Sequence, residues 1–255
     1  MEPQVIEQIL DEVAGQLASA RRILFITGAG ISADSGLPTY RGIGGLYEGS
    51  LTEDGYRIED ALSGEMLRRR PEITWKYLAQ IEANCRGAGP NAAHAAIARL
   101  EEAFASVLVF TQNIDGLHQA AGSRNVIEIH GDLHRLLCTA CGQQERISSL
   151  ENREIPPRCP QCRSFMRPEV VLFGEALPRE ALERFYDEME AGFDLVFSVG
   201  TTSVFPYIAQ PVVWAARAGI PTVEINPGET VVSDYVAYKL PLGAAKALHS
   251  LLERL

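Results

Sequence analysis

Four cysteines carry the clearest chemical message in this chain. Cys138 and Cys141 form one C-x2-C pair, Cys159 and Cys162 a second, with 17 residues between the pairs. Each short pair can turn two thiolates toward one ion, and four sulfurs fill the tetrahedral shell of Zn²⁺. Such a site has no open position for a reactive water, so the reading is a structural zinc ribbon. Two disulfides are the competing reading, and nothing in the sequence points to an oxidising compartment. His134 lies near the first pair but is not needed as a ligand, and Cys85 stands alone as a small apolar residue.

A second cluster is built for nucleotides. Gly28, Ala29, Gly30 and Ser32 belong to a G-x-G-x-x-A run that follows an apolar stretch, a pattern in which backbone approaches a pyrophosphate. A hydride-transfer enzyme would follow it with a second strand and an acidic residue about 20 positions on. Here the chain instead continues through a turn-rich loop to Tyr40 and Arg41. Two further polar groups close apolar stretches: Gln112, Asn113, Ile114 and Asp115 after one, His130 and Gly131 after another. Polar side chains at the C-terminal ends of parallel strands lie where open α/β sheets bind ligands. The residues alone leave His130 open to a catalytic or a structural role.

The elements that must position these groups can be read from periodicity. Val5, Ile6, Ile9, Leu10, Val13 and Leu17 recur at helical spacing. Apolar runs at 23–27, 106–111, 126–129, 195–199 and 222–225 are short and rich in β-branched and aromatic residues, and helical patterns separate several of them. This alternation predicts an α/β fold, a Rossmann-like parallel sheet with helices on both faces. Two stretches break it. Residues 39–89 contain no convincing strand, with helical segments at 65–70 and 72–83, and residues 136–167 hold the four cysteines with little apolar periodicity. The expectation is a main domain of 1–38, 90–135 and 168–255, and a small domain of 39–89 plus 136–167, made of a helical module and the zinc ribbon. At 255 residues one functional unit is expected.

Composition narrows the partners. The formal net charge of −10 disfavours nucleic acid as a direct ligand and suits Lys-rich peptides. There is no long apolar run and no secretory leader pattern, so no membrane span is expected and the expected location is the cytoplasm. Without an exposed heptad, a monomer is the default.

Taken together, the order of these motifs resembles the sirtuin family of NAD-dependent protein-lysine deacylases. The elements are Gly28 to Ser32, Gln112 to Asp115, His130 with Gly131, the paired cysteines, Val170 to Glu175, and Gly200 with Thr201 and Thr202; the resemblance runs from about Ile23 to Asn226. It implies NAD as co-substrate and one structural Zn²⁺. Gly28, Ala29, Gly30 and Ser32 would hold the NAD phosphates and adjoining ribose, with Tyr40 and Arg41 on the loop that closes over the nicotinamide side. Gln112 would contact the ribose beside nicotinamide. Asn113 and Asp115 would line the nicotinamide pocket, with Ile114 as an apolar wall. Gly200, Thr201 and Thr202 would lie near the phosphates and adenine side, and Asn226 at the adenosine ribose.

His130, with Asn113 beside it, would do the catalytic work, His130 taking a proton from a ribose hydroxyl so that the acyl group passes to ADP-ribose. Products would be nicotinamide, O-acyl-ADP-ribose and free lysine. Val170, Val171, Phe173, Gly174 and Glu175 would hold the acyl-lysine peptide as an added strand. Two readings from the same NAD site compete: ADP-ribosyl transfer to protein, and a non-catalytic NAD-sensing module.

This sequence departs from the family pattern at three places. Thr39 replaces a carboxylate. Tyr77 and Gln80 do not make the Tyr-x-x-Arg clamp of members that favour acidic acyl groups, so deacetylation is expected to exceed desuccinylation. The 200–206 loop is one residue shorter than usual, and the adenine contact near Leu242 or Gly243 is not placed by the motif.

Overall fold

The computed structural model describes residues 2–39 and 51–255. The main sheet has six strands: β1 Arg22–Thr27, β2 Ser106–Thr111, β3 Val126–Glu128, β7 Leu195–Val199, β8 Thr222–Ile225 and β9 Tyr238–Leu240. All pair in parallel, in the order β3-β2-β1-β7-β8-β9. This is the doubly wound arrangement, with the strand order reversing between β1 and β7.

Strands covered on both faces need apolar residues at consecutive positions, and β1 supplies them. Ile23 and Phe25 enter a core with Leu10, Val13 and Leu17 of helix α1 Pro3–Ser19. Leu24 and Ile26 enter the opposite core with Phe110, Phe185 and Ile208. Helices α5 Ala92–Ala103 and α9 Ala244–Leu252 share the first face with α1; α7 Arg179–Ala191 and α8 Pro206–Arg217 cover the second.

A separate three-stranded antiparallel sheet is ordered β5-β4-β6, from β4 Gly131–Cys138, β5 Gln144–Arg146 and β6 Met166–Val170. It reaches outside the 136–167 span expected from the cysteines, because the chain passes into β4 directly after His130. Helices α2 Ile58–Ala61, α3 Gly64–Arg69 and α4 Pro71–Cys85 share one core with this sheet, in which Trp75, Leu78, Leu136, Met166 and Leu172 are buried together. Trp75 Nε1–H donates to the Met166 carbonyl at 3.0 Å within it. The two inserted stretches are thus held by one shared apolar cluster, and α6 Leu117–Ala120 is the remaining α-helix among the described residues.

Candidate active site

At the strand crossing, backbone packs on backbone. Gly28 N–H donates to the Val199 carbonyl at 3.0 Å and Gly30 N–H to the Gly200 carbonyl at 2.8 Å. A Cβ on Gly30 would stand 2.6 Å from the Gly200 Cα, a contact no side chain tolerates. Both amides therefore already serve the crossing. What the two glycines give is a floor without side chains, open to close approach by a ligand.

Beside that floor the polar residues after β2 are locked in a network. Gln112 Nε2–H donates to Thr201 Oγ1 at 2.9 Å. Asn113 is buried, and its amide donates to the Gly28 carbonyl and to Ser32 Oγ, each at 3.2 Å. Ser32 donates in turn to Asp115 Oδ2 at 2.8 Å, and Asp115 Oδ1 accepts the Leu117 amide at 3.0 Å. Asn226 holds Thr201 and Gly228 in the same manner, donating to the first carbonyl at 3.1 Å and accepting the second residue's amide at 3.0 Å.

His130 stands where the chain leaves the main sheet for the small one. Ile129 N–H still bonds to Thr111 of β2 at 3.0 Å, while the His130 carbonyl accepts the Val171 amide at 2.9 Å. Gly131 must follow: its φ is +81° and a Cβ there would overlap the Glu169 carbonyl oxygen. The imidazole Nδ1 lies 3.0 Å from the Gln112 carbonyl, and only an N–H can face that oxygen. The lone pair is therefore on Nε2, which lies 2.8 Å from the Tyr207 hydroxyl. Burial pushes the His130 pKa down to about 4, against the upward pull of the Gln112 carbonyl, so the ring is neutral near pH 7.

One cavity of about 780 Å³ joins these parts. Gly28, Ala29, Gly30, Gln112, Asn113, Ile114, His130, Gly200, Thr201, Thr202 and Asn226 all line it, as do Val170, Val171, Phe173, Gly174 and Glu175. Ser32 and Asp115 line a smaller recess next door, reached past Ala29, Asn113 and Ile114. Tyr40 and Arg41 lie outside the described residues. A volume in the range of small-ligand sites and a floor bare of side chains fit a dinucleotide.

Some site residues differ from the sequence expectation. Only Val170 of the 170–175 segment is in a strand; the chain turns after Leu172, with Gly174 at φ +78°. The Glu175 carboxylate takes two bonds of 2.8 Å from the Arg167 guanidinium and one of 3.0 Å from the Leu172 amide, so it braces its own loop. Burial alone would raise its pKa, but the Arg167 pair together with the Leu172 amide outweighs that and holds it below the usual carboxylate range. On α4 the cavity is lined by Leu78 and Ile81, whereas Tyr77 is turned away and its hydroxyl donates to Asp54 Oδ2 at 2.6 Å. The acyl-clamp comparison thus belongs one residue later than the sequence placed it. Leu242, Gly243, Asp34, Phe205 and Tyr207 also line the cavity, and no motif singled out the last three.

The four cysteines meet as expected. Their sulfurs all lie within 4.8 Å of one another, with Cys138 to Cys162 at 3.4 Å and Cys141 to Cys159 at 3.7 Å. Four sulfurs each about 2.3 Å from Zn²⁺ would be about 3.8 Å apart, so the set fits one tetrahedral ion. Cys85 is half-buried, and burial pushes its thiol up to about 11, which suits an inert side chain.

A family-level comparison matches residues 28–206 to the Sir2 family. The chain belongs to that family. This Sir2-family chain is 52% identical over 233 residues to "NAD-dependent protein deacylase 2" of Pseudomonas aeruginosa, covering 89% of this chain and 90% of that one. It is 49% identical over 247 residues to the protein of the same name from Pseudomonas syringae pv. tomato, covering 96% and 99%. Among solved structures it is similar to the crystal structure of a Sir2 homologue in complex with NAD, with a TM-score of 0.85, 35% identity, and 95% and 92% of the two chains covered. No helix among the described residues is long and apolar enough to cross a membrane.

Proposed function

We propose that this chain is an NAD-dependent protein-lysine deacylase that prefers acetyl groups to acidic acyl groups. The observation that carries the reading is a neutral imidazole, with its lone pair on Nε2, in the wall of a cavity shared by the glycine floor and the 170–175 segment. Bound NAD would supply a ribose carbon whose bond to nicotinamide breaks as the acyl oxygen bonds to it, and a ribose hydroxyl that takes the acyl group; one water is consumed, and nicotinamide, O-acyl-ADP-ribose and free lysine leave.

The chain's own residues do the rest. Gly28, Ala29, Gly30, Thr201 and Thr202 hold the phosphate side, and Asn226 the adenosine ribose. Gln112 orients the ribose beside nicotinamide, and Asn113, Ile114 and Asp115 bound the nicotinamide recess, Asn113 acting with His130. Tyr40 and Arg41 belong on this side in the family pattern. His130 accepts a proton from the ribose hydroxyl at Nε2, a transfer that typically contributes about 10²–10⁴-fold. Ile114, Val171 and Phe173 keep stray water from the reacting carbon. The edge strand β6 presents Val170 at the end of its sheet, where a peptide can add as a further strand with acyl-lysine inserted beside Phe173 and Gly174. Cys138, Cys141, Cys159 and Cys162 would hold Zn²⁺, which supplies folding free energy to the ribbon and no reacting position.

His130→Ala tests this assignment directly. O-acyl-ADP-ribose formation from an acetyl-lysine peptide should fall by about 10²–10⁴-fold, and an unchanged rate would remove the mechanism.

The acyl preference follows from the wall. Leu62, Leu78, Ile81 and Leu177 line the cavity, and among the described residues no arginine or lysine does. A succinyl carboxylate would sit there unpaired, at a cost of about 1–3 kcal/mol, so kcat/KM on matched peptides should favour acetyl- over succinyl-lysine by about 10- to 100-fold. The reverse order would sink the preference.

A further inference from the structure

We propose that Tyr207 is the positioning residue for His130: its phenol caps the base's lone pair in the free protein and yields that lone pair to the ribose hydroxyl of the incoming ligand. The inference rests on His130 being the base. Its starting point is geometry that the family motifs do not supply, since Tyr207 is in the first turn of α8, directly after the loop 200–206 in which this sequence departs from the family pattern.

The direction of the hydrogen bond is fixed by its neighbours. Nδ1–H is committed to the Gln112 carbonyl at 3.0 Å, so Nε2 is an acceptor, and the hydroxyl 2.8 Å away must donate to it. Held at both nitrogens, the imidazole has one tautomer and one orientation. Phe205 adds a third restraint: its ring meets His130 edge-on, with centroids 6.2 Å apart and planes at 88°. Phe205 also stacks on Tyr207 at 5.4 Å and 14°, so the phenol is itself carried by an aromatic pair. His130 is half-buried, and a lone pair left bare against apolar neighbours would be costly; the phenol removes that cost while no ligand is bound.

Nε2 has a single in-plane lone pair. A ribose hydroxyl can donate to it only after the phenol has moved off, and because Tyr207 also lines the cavity the displaced oxygen stays within reach of the ligand. The handover itself exchanges one hydrogen bond for another and moves no proton: the phenol keeps its own throughout, and the ribose proton passes to Nε2 only in the later acyl-transfer step.

Tyr207→Phe keeps the ring and its stack on Phe205 and removes only the hydroxyl. The experiment is ¹⁵N NMR of histidine-labelled protein at pH 7, without ligand. The His130 Nε2 resonance should move toward that of an unbonded pyridine-type nitrogen in Tyr207→Phe while Nδ1 stays protonated. In the wild type, titration with ADP-ribose should alter the Nε2 resonance as its partner changes. Calorimetry should find ADP-ribose bound up to about tenfold more tightly by the variant, since no phenol has to be displaced.

An Nε2 resonance identical in variant and wild type would overturn the proposal. So would weaker ADP-ribose binding by Tyr207→Phe, which would make the phenol a ligand contact. Deacylation lowered by about 100-fold or more with nicotinamide exchange intact would also overturn it, because the phenol would then be carrying the proton itself. A wild-type deacylation rate in His130→Ala would instead refute the base assignment and leave the NMR result standing, so the two failures are distinguishable.

Discussion

At the scale of single residues, two side chains show how a sequence role and a structural role can differ. Glu175 falls in the segment expected to meet the peptide, yet its carboxylate is engaged by Arg167 and the Leu172 amide, while Arg167 also donates to the Val170 carbonyl at 2.9 Å. The pair therefore sets the shape of the 170–175 loop. Removing the cation leaves a partly buried carboxylate unpaired, so Arg167→Ala should lower stability by about 1–3 kcal/mol in chemical denaturation. The KM for an acyl-peptide should rise with affinity for NAD preserved. Equal loss of peptide and NAD affinity would mean that the loop does not act locally. His130 was legible as a candidate because it closes an apolar strand and precedes a glycine. Its tautomer was not, because that depends on the Gln112 carbonyl and the Tyr207 hydroxyl, residues 18 and 77 positions away.

At the scale of elements, the main sheet was readable because doubly covered strands must be continuously apolar. The runs at 106–111, 195–199 and 222–225 coincide with β2, β7 and β8. The helical segments at 65–70 and 72–83 appear as α3 and α4 within two residues at each end. Which face of α4 meets the cavity was harder to read, since one residue of register turns a helix by about 100° and exchanges Tyr77 for Leu78. The rotation is settled by the fold, which lines the cavity with Leu78 and Ile81 and ties the Tyr77 hydroxyl to Asp54. The zinc ribbon was legible from spacing alone, because two C-x2-C pairs fix both the ligand set and its closure. Its sheet gives a test: β5 is three residues long and β6 five, too little to hold the fold unaided. Cys159→Ser should abolish bound zinc, measured by metal analysis. It should also expose Trp75, which is buried against Met166 of this sheet, so its fluorescence should shift to the red. A zinc-free variant with native Trp75 emission would show that the ion is not the staple.

At the scale of the whole molecule, three neutral histidines, His94 and His118 buried and His130 half-buried, link the fold to pH. His118 sits under the site with Nε2–H donating to Thr27 Oγ1 at 3.0 Å, since that hydroxyl donates onward to Thr111 at 2.8 Å. Burial, with His94 adding to it, pushes its pKa down to about 3. His94, whose ring meets His118 edge-on at 4.9 Å, is also lowered by burial, and His130 is down at about 4. In the unfolded chain each would titrate near about 6.5. Between that value and the folded pKa the unfolded state binds the extra proton, so stability rises with pH across the window. The contribution is complete above about pH 6.5 and is lost as pH falls through the folded values, at up to about 1.4 kcal/mol per pH unit for each histidine. The Tm should therefore drop between pH 7 and pH 5, with proton uptake on unfolding measurable by calorimetry in buffers of different ionisation enthalpy. His118→Gln keeps a donor for Thr27 and removes one titrating group, so uptake near pH 5.5 should fall by about one proton. An uptake unchanged by that substitution would mean that His118 is already charged in the folded protein. A charge there, beneath Thr27 and Thr111 at the ends of β1 and β2, would contradict the dry strand ends on which Gln112 and Asn113 are mounted.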